Sequence, residues 1–182
     1  MLRTVSNNAS SSLAVRVGGI FLFAALSAAA ARITIPVEPV PFTLQTLAVV
    51  LAGMTLGARD GALSQLIYVA LIAVGLPIDA RGVGQASLFG PTGGYLVGFI
   101  AAAFVSGLLV ERAGVRVWQR WLAGLAGMLV IYAFGATWLA VSRGMTPDAA
   151  FSAGVTPFIV GDLAKAMIAA GATEGMRLAL RR

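Results

Sequence analysis

Long apolar stretches separated by brief polar breaks run along the whole chain. Six recur, at about 13–31, 42–57, 62–75, 92–110, 121–141 and 157–176. A helix needs about 20 apolar residues to cross the hydrocarbon of a bilayer. Each stretch therefore predicts a membrane-spanning helix, although the second and third are short. None shows the strict alternation of a membrane β-strand. Between the second and third stands "GARDG" at 57–61, which predicts a tight turn joining antiparallel helices.

Composition agrees with this pattern. Of 182 residues, 59% are hydrophobic and 11% charged, against about 25% charged in an average soluble domain. The chain reads as one all-α integral membrane domain, residues 1–182, built as a compact six-helix bundle. It holds no Cys and no His, so thiolate and imidazole metal sites, disulfides and Cys or His catalysis are excluded. No cofactor is implied. The net charge is +6, yet the arginines are scattered singly and lack the interleaved aromatics of a nucleic-acid face.

Those arginines set the topology instead. With the N-terminus inside, the inner segments hold Arg3, Arg16, Arg59, Arg112, Arg116, Arg120, Arg177, Arg181 and Arg182. The outer segments hold Arg32, Arg81 and Arg143. Nine against three places both termini in the cytoplasm.

The first stretch has two further readings. Its basic start, apolar run and "AALSAAAA" at 24–31 also fit a signal peptide, although Arg16 splits the leader. Its alanines, Ala24 with Ala28 and Ala25 with Ala29, sit one turn apart and make smooth faces that another helix can approach closely. Similar spacings at Gly53 and Gly57, Gly94 and Gly98, and Gly171 and Gly175 mostly predict packing within the bundle.

This topology leaves 32–42, 76–91 and 142–156 outside. The first leads into "PVEPVPFTLQT", whose three prolines precede the second stretch and impose a rigid, non-helical entry. The second belongs to "GLPIDARGVGQASLFGPTGGY", rich in glycine and carrying Gln85, Phe89 and Tyr95. Solvated linkers have no need of such aromatics and amides, so both segments predict lids over a pocket, since irregular backbone at membrane depth lines cavities.

The sixth stretch holds "GDLAK" at 161–165. Asp162 and Lys165 are the only charges in 149–173, and Lys165 is the only lysine. A charge at the bilayer centre costs roughly 2.5–3.5 kcal/mol on insertion scales. Three residues apart on one helix face, the two can neutralise each other. Thr156 as N-cap and Pro157 at the first helical position would begin this helix, which puts the pair in the outer part of the membrane, beneath the lids. Three uses compete: an ion pair that only locks helices, a proton relay, and the polar floor of a small-molecule site. Buried ion pairs are weak evidence for stability, and no further ionisable group lies between Lys165 and Glu174 to continue a relay. The floor of a binding site is favoured.

"PVPFTLQTLAVVLAG" at 39–53, "GPTGGYLVGF" at 90–99 and "GDLAK" together resemble the BioY family of biotin transporters, in motif order and over essentially the whole chain. These are the substrate-binding S components of energy-coupling-factor (ECF) transporters. The resemblance implies a multi-pass protein of the bacterial cytoplasmic (inner) membrane that captures biotin from outside. It implies partners too: a coupling membrane protein and two ABC-type ATPases, with Ala24 and Ala28 facing the coupling protein. The chain has no GxxxxGK[ST] phosphate loop, which fits a binding subunit rather than an enzyme.

Biotin offers two ureido N–H donors, a ureido carbonyl and a carboxylate-tipped tail. Asp162 suits the ureido N–H groups as an acceptor, with Lys165 donating or balancing charge. Arg81 is the first candidate for the tail carboxylate. Thr43, Gln45 and Gln85 can complete the hydrogen bonds, and Phe89 and Tyr95 can cover the bicyclic ring. The rivals are a stand-alone or proton-coupled transporter using the Asp162/Lys165 pair, and a membrane enzyme with Asp162 as general base.

Overall fold

The computed structural model describes residues 9–113 and 116–179. Each apolar stretch becomes a helix: α1 (Ala9–Arg32), α2 (Gln45–Leu56), α3 (Ala58–Ala73), α5 (Gly93–Ala113), α6 (Val117–Arg143) and α8 (Ile159–Ala179). Two short helices, α4 (Ala86–Phe89) and α7 (Pro147–Gly154), lie in segments expected to be loops. A two-residue antiparallel ladder pairs β1 (Thr34–Ile35) with β2 (Phe42–Thr43).

Among the described residues, four segments are long and apolar enough to cross a membrane: Leu13–Arg32, Gly93–Arg112, Val117–Arg143 and Pro147–Ala179. The expectation of six membrane-crossing helices, the second and third short, is met in part. Helix α2 has 12 residues and α3 has 16, so at 1.5 Å per residue they reach only about 18 and 24 Å. The second stretch loses its start because Phe42 and Thr43 belong to the ladder.

The connection between α2 and α3 differs from the expected turn. Only Gly57 lies between the helices, at φ 87°, and Ala58–Gly61 already form the first turn of α3. A left-handed φ costs glycine least, so one residue reverses the chain. The Glu111 carboxylate, from the end of α5, accepts the orphan N–H of Ala58 at 3.0 Å, which completes that helix start.

Helix association in lipid rests on close packing and internal hydrogen bonds rather than on water exclusion. Ile20, Phe23 and Ala24 of α1 are buried, and Ser27 Oγ donates to Gln65 Oε1 of α3 at 2.9 Å. The N-terminal stretch is thus built into the bundle. Of the two alanines expected on the partner face, Ala24 belongs to the central core with Tyr68, Ile72 and Tyr95, and Ala28 is partly buried against that core. Ala25 and Ala29 are the exposed pair. Of the glycine spacings, Gly94 and Gly98 rest against Trp138 and Phe134 of α6, whereas Gly171 and Gly175 face open space.

Charges gather at the two ends. At one end Arg16 pairs with Asp60 at 2.6 Å, Arg120 lies 3.6 Å from Glu174, and Arg177 also contacts Glu174. At the other end lie Arg32, Arg81, Asp79, the ladder and the start of α8. Large apolar side chains such as Leu22, Phe104, Leu129 and Ile168 face outward between the ends, as lipid contact requires.

Candidate functional site

At the second end, α2, α5, α6, α8 and the two lid segments surround a cavity of about 60 Å³, room for a handful of water molecules. Its floor is the GDLAK turn. Helix α8 begins differently from expectation: Thr156–Phe158 form a 3₁₀ turn, and Thr156 bonds back to Phe151 O rather than capping α8. The Thr-Pro cap occurs instead at α7, where Thr146 Oγ1 accepts the N–H of Ala149 ahead of Pro147. Asp162 therefore sits in the first turn of α8, where the positive end of the helix dipole favours a carboxylate.

Asp162 and Lys165 are buried, 2% and 5% exposed, and pair at 2.7 Å. Lys165 Nζ also donates to Thr43 O at 2.7 Å and Thr46 Oγ1 at 3.1 Å. An ammonium has three N–H groups, and all three are occupied. Its charge also lies 3.8 Å from the centroid of the Phe42 ring, a cation–π contact. Asp162 Oδ1 accepts from Thr46 Oγ1 at 2.9 Å, and Oδ2 accepts from Tyr132 at 2.6 Å. A carboxylate offers about four acceptor positions, so three donors leave room for another.

Gly161 has a steric reason. A Cβ there would lie 2.5 Å from the Phe42 ring. Without it, Phe42 lies against α8, stacked on Phe158 at 6.0 Å between centroids, with the Lys165 charge beside it. One motif thus supplies the acid, the base and the seat for the ring that meets the base.

The walls join the floor to the lids. Thr43 Oγ1 donates to Gln45 Oε1 at 3.3 Å and accepts the backbone N–H of Gln45 at 3.2 Å. Gln45 Nε2 donates to Tyr68 at 2.7 Å, and Tyr68 donates to Ile78 O at 3.2 Å. That chain ties the floor to the second lid. Asp79 is buried and organises this lid, Oδ1 accepting from Gly84 N at 2.7 Å and Oδ2 from Arg81 N at 3.0 Å. Tyr95 forms another wall and donates to Gly154 O at 2.7 Å.

The structure thus brings Asp162, Lys165, Thr43, Gln45, Arg81 and Tyr95 to one cavity. It does not bring Gln85 or Phe89 there. Gln85 is exposed ahead of α4. Phe89 is 74% exposed and borders a separate apolar groove beside Trp138 and Val141. The short helix α4 accounts for the miss, because its turn sends the Phe89 side chain to the outside of the bundle.

Sequence reasoning overlooked Tyr132, Thr46, Phe42 and Asp79. Tyr132 lies inside an apolar run on α6, where nothing local marks it as a partner for an acid 30 residues away. Thr46 follows Gln45 in the same motif, and its spacing alone does not show that it faces α8. Among the described residues, no cluster of three or more His, Cys, Asp or Glu is placed to hold a metal ion.

Comparison with known proteins identifies the family and the fold. The model of the BioY family matches residues 6–182. A biotin transporter BioY of Thermotoga maritima is 46% identical over 82% of this chain and 88% of its own length. A biotin transporter BioY of Rhizobium etli is 45% identical over 72% of this chain and 75% of its own. In fold, the chain is similar to the crystal structure of the S-component for biotin from an ECF-type ABC transporter. The TM-score is 0.85, the identity 24%, and the coverage 94% of this chain and 95% of that one. With a family model spanning almost the entire sequence and several relatives above 40% identity, the chain belongs to the BioY family.

Proposed function

We propose that this protein is a biotin uptake protein of the bacterial cytoplasmic membrane, the substrate-binding component of an ECF-type transporter. It captures biotin at the outer face and passes it inward with a coupling membrane protein and ABC-type ATPases. Family membership supports the substrate, since the relatives are named biotin transporters. The observation that carries the site is the buried Asp162 carboxylate, held by Lys165, Thr46 and Tyr132 on a cavity floor. The excess of arginine at the opposite end supports an inside location for both termini, so the cavity opens outward.

In this reading Asp162 accepts a ureido N–H with its remaining acceptor capacity. Lys165, whose N–H groups are all engaged, positions Asp162 rather than grasping the ligand. Gln45 uses one amide hydrogen on Tyr68 and keeps a second for the ureido carbonyl. Arg81 receives the tail carboxylate, and Tyr95 lines the path of the ring. The exposed Ala25–Ala29 row, rather than Ala24 and Ala28, is the smooth face of α1 left to meet the coupling protein.

The test is uptake of labelled biotin by cells lacking their own biotin transporter. Expression of this chain with a coupling protein and ATPases should produce uptake that an ATPase-dead module abolishes. Equal uptake without the module would favour a stand-alone transporter, and no uptake in either case would contradict the assignment.

A further inference from the structure

The cavity is bounded above by the seam between the two lids. Val40 and Pro41 come from the first lid, and Asp79, Ala80 and Arg81 from the second. Arg81 ties this seam. Its Nη2 donates to Glu38 Oε2 at 2.9 Å and to Pro39 O at 2.8 Å.

The chemistry of the guanidinium makes that arrangement consequential. A carboxylate is held most firmly by two parallel N–H groups. Both two-pronged edges of a guanidinium, Nε with Nη2 and Nη1 with Nη2, include Nη2. Its two hydrogens are already given to Glu38 and Pro39. A ligand carboxylate can therefore take a paired grip on Arg81 only by releasing one of them. Glu38 is the one that yields: its side chain is 80% exposed and regains water at once, whereas the Pro39 carbonyl is fixed in the backbone beside the ladder. Two carboxylates on one guanidinium also repel each other.

We infer that Glu38 is a gate and specificity residue, an internal carboxylate that competes with the ligand's own carboxylate for Arg81. This rests on the proposed reading that Arg81 receives the tail of biotin. An anionic tail displaces Glu38 and frees the first lid from Arg81; a neutral tail leaves the latch in place. Exposed ion pairs are weak, so the competition should weaken binding of an anionic ligand by roughly two- to five-fold.

Equilibrium binding of biotin and of its neutral amide, biotinamide, to the full-length protein in detergent at low salt tests this. The proteins are wild type, Glu38→Gln, Arg81→Ala and the double variant. Glu38→Gln should tighten biotin by about two- to five-fold and leave biotinamide unchanged. In the Arg81→Ala background it should change neither ligand. An equal gain for both ligands, a gain that persists without Arg81, or no gain for biotin would each overturn the competition. A folded wild type that binds neither ligand would overturn the biotin assignment and this inference with it, an outcome distinct from unchanged affinity in a protein that binds.

Discussion

Tyr132 donates its hydroxyl to Asp162 Oδ2 at 2.6 Å, joining the middle of α6 to the first turn of α8. Together with Lys165 and Thr46, it fixes the direction in which the remaining acceptor capacity of Asp162 points. A site that reads a ureido group needs that direction to be constant, because a buried polar group left unpaired loses more than a paired one gains.

Removing this tie should reach binding before it reaches folding. Tyr132→Phe deletes a hydrogen bond to a charged group, worth roughly 1.5–3 kcal/mol. Biotin affinity in detergent should fall by about ten-fold or more, while the protein remains monodisperse. Unchanged affinity would show that Asp162 is held adequately without α6.

The buried pair separates a structural role from a binding role. Asp162→Asn or Lys165→Met alone leaves a charge with no opposite partner, which costs roughly 3–5 kcal/mol. The double variant Asp162→Asn/Lys165→Met should recover most of the lost thermal stability, because apolar replacements of buried pairs are often neutral. It should not recover biotin binding. Recovery of both would reduce the pair to a helix clamp.

Half of the floor was legible in the sequence because charge is conspicuous in an apolar run. Asp162 and Lys165 stand out by cost alone, and their three-residue spacing already puts them on one face. Tyr132, Thr46 and Phe42 could not be found that way. Their roles depend on which faces of α2, α6 and α8 meet, which is decided by packing, as where Gly161 makes way for Phe42. Phe89 failed for the same reason in reverse: an aromatic near a pocket motif was expected inside, and a four-residue helix turns it outward. The order of helices and the shortness of the second and third were readable from apolar length, but not the single-residue reversal at Gly57.

Gly161 offers a steric test of the floor. Gly161→Ala would force Phe42 away from α8 and loosen its contact with Lys165. Overpacking of this kind costs roughly 1–3 kcal/mol. Biotin affinity should fall by about five-fold or more, with a smaller loss when Phe42→Leu makes room in the same protein. An Ala variant with wild-type affinity would show that Phe42 has no part in shaping the site.

The two alanine rows of α1 should separate folding from partnership. Ala24→Leu places extra volume in the core and should lower the thermal midpoint. Ala29→Leu should leave stability and biotin binding within about two-fold, since surface changes usually stay within about 0.5 kcal/mol. It should nevertheless suppress uptake that depends on the coupling protein and ATPases. Equal uptake by wild type and Ala29→Leu would place the partner face elsewhere.

The central claim is that biotin is read by the Asp162 floor beneath the lids. It is tested most directly by equilibrium binding of labelled biotin to the purified protein, alongside Asp162→Asn and Lys165→Ala, each shown to be folded. Tight binding by the wild type that collapses in both variants is the predicted result. Binding that survives both substitutions would contradict the claim and move the site to the lids.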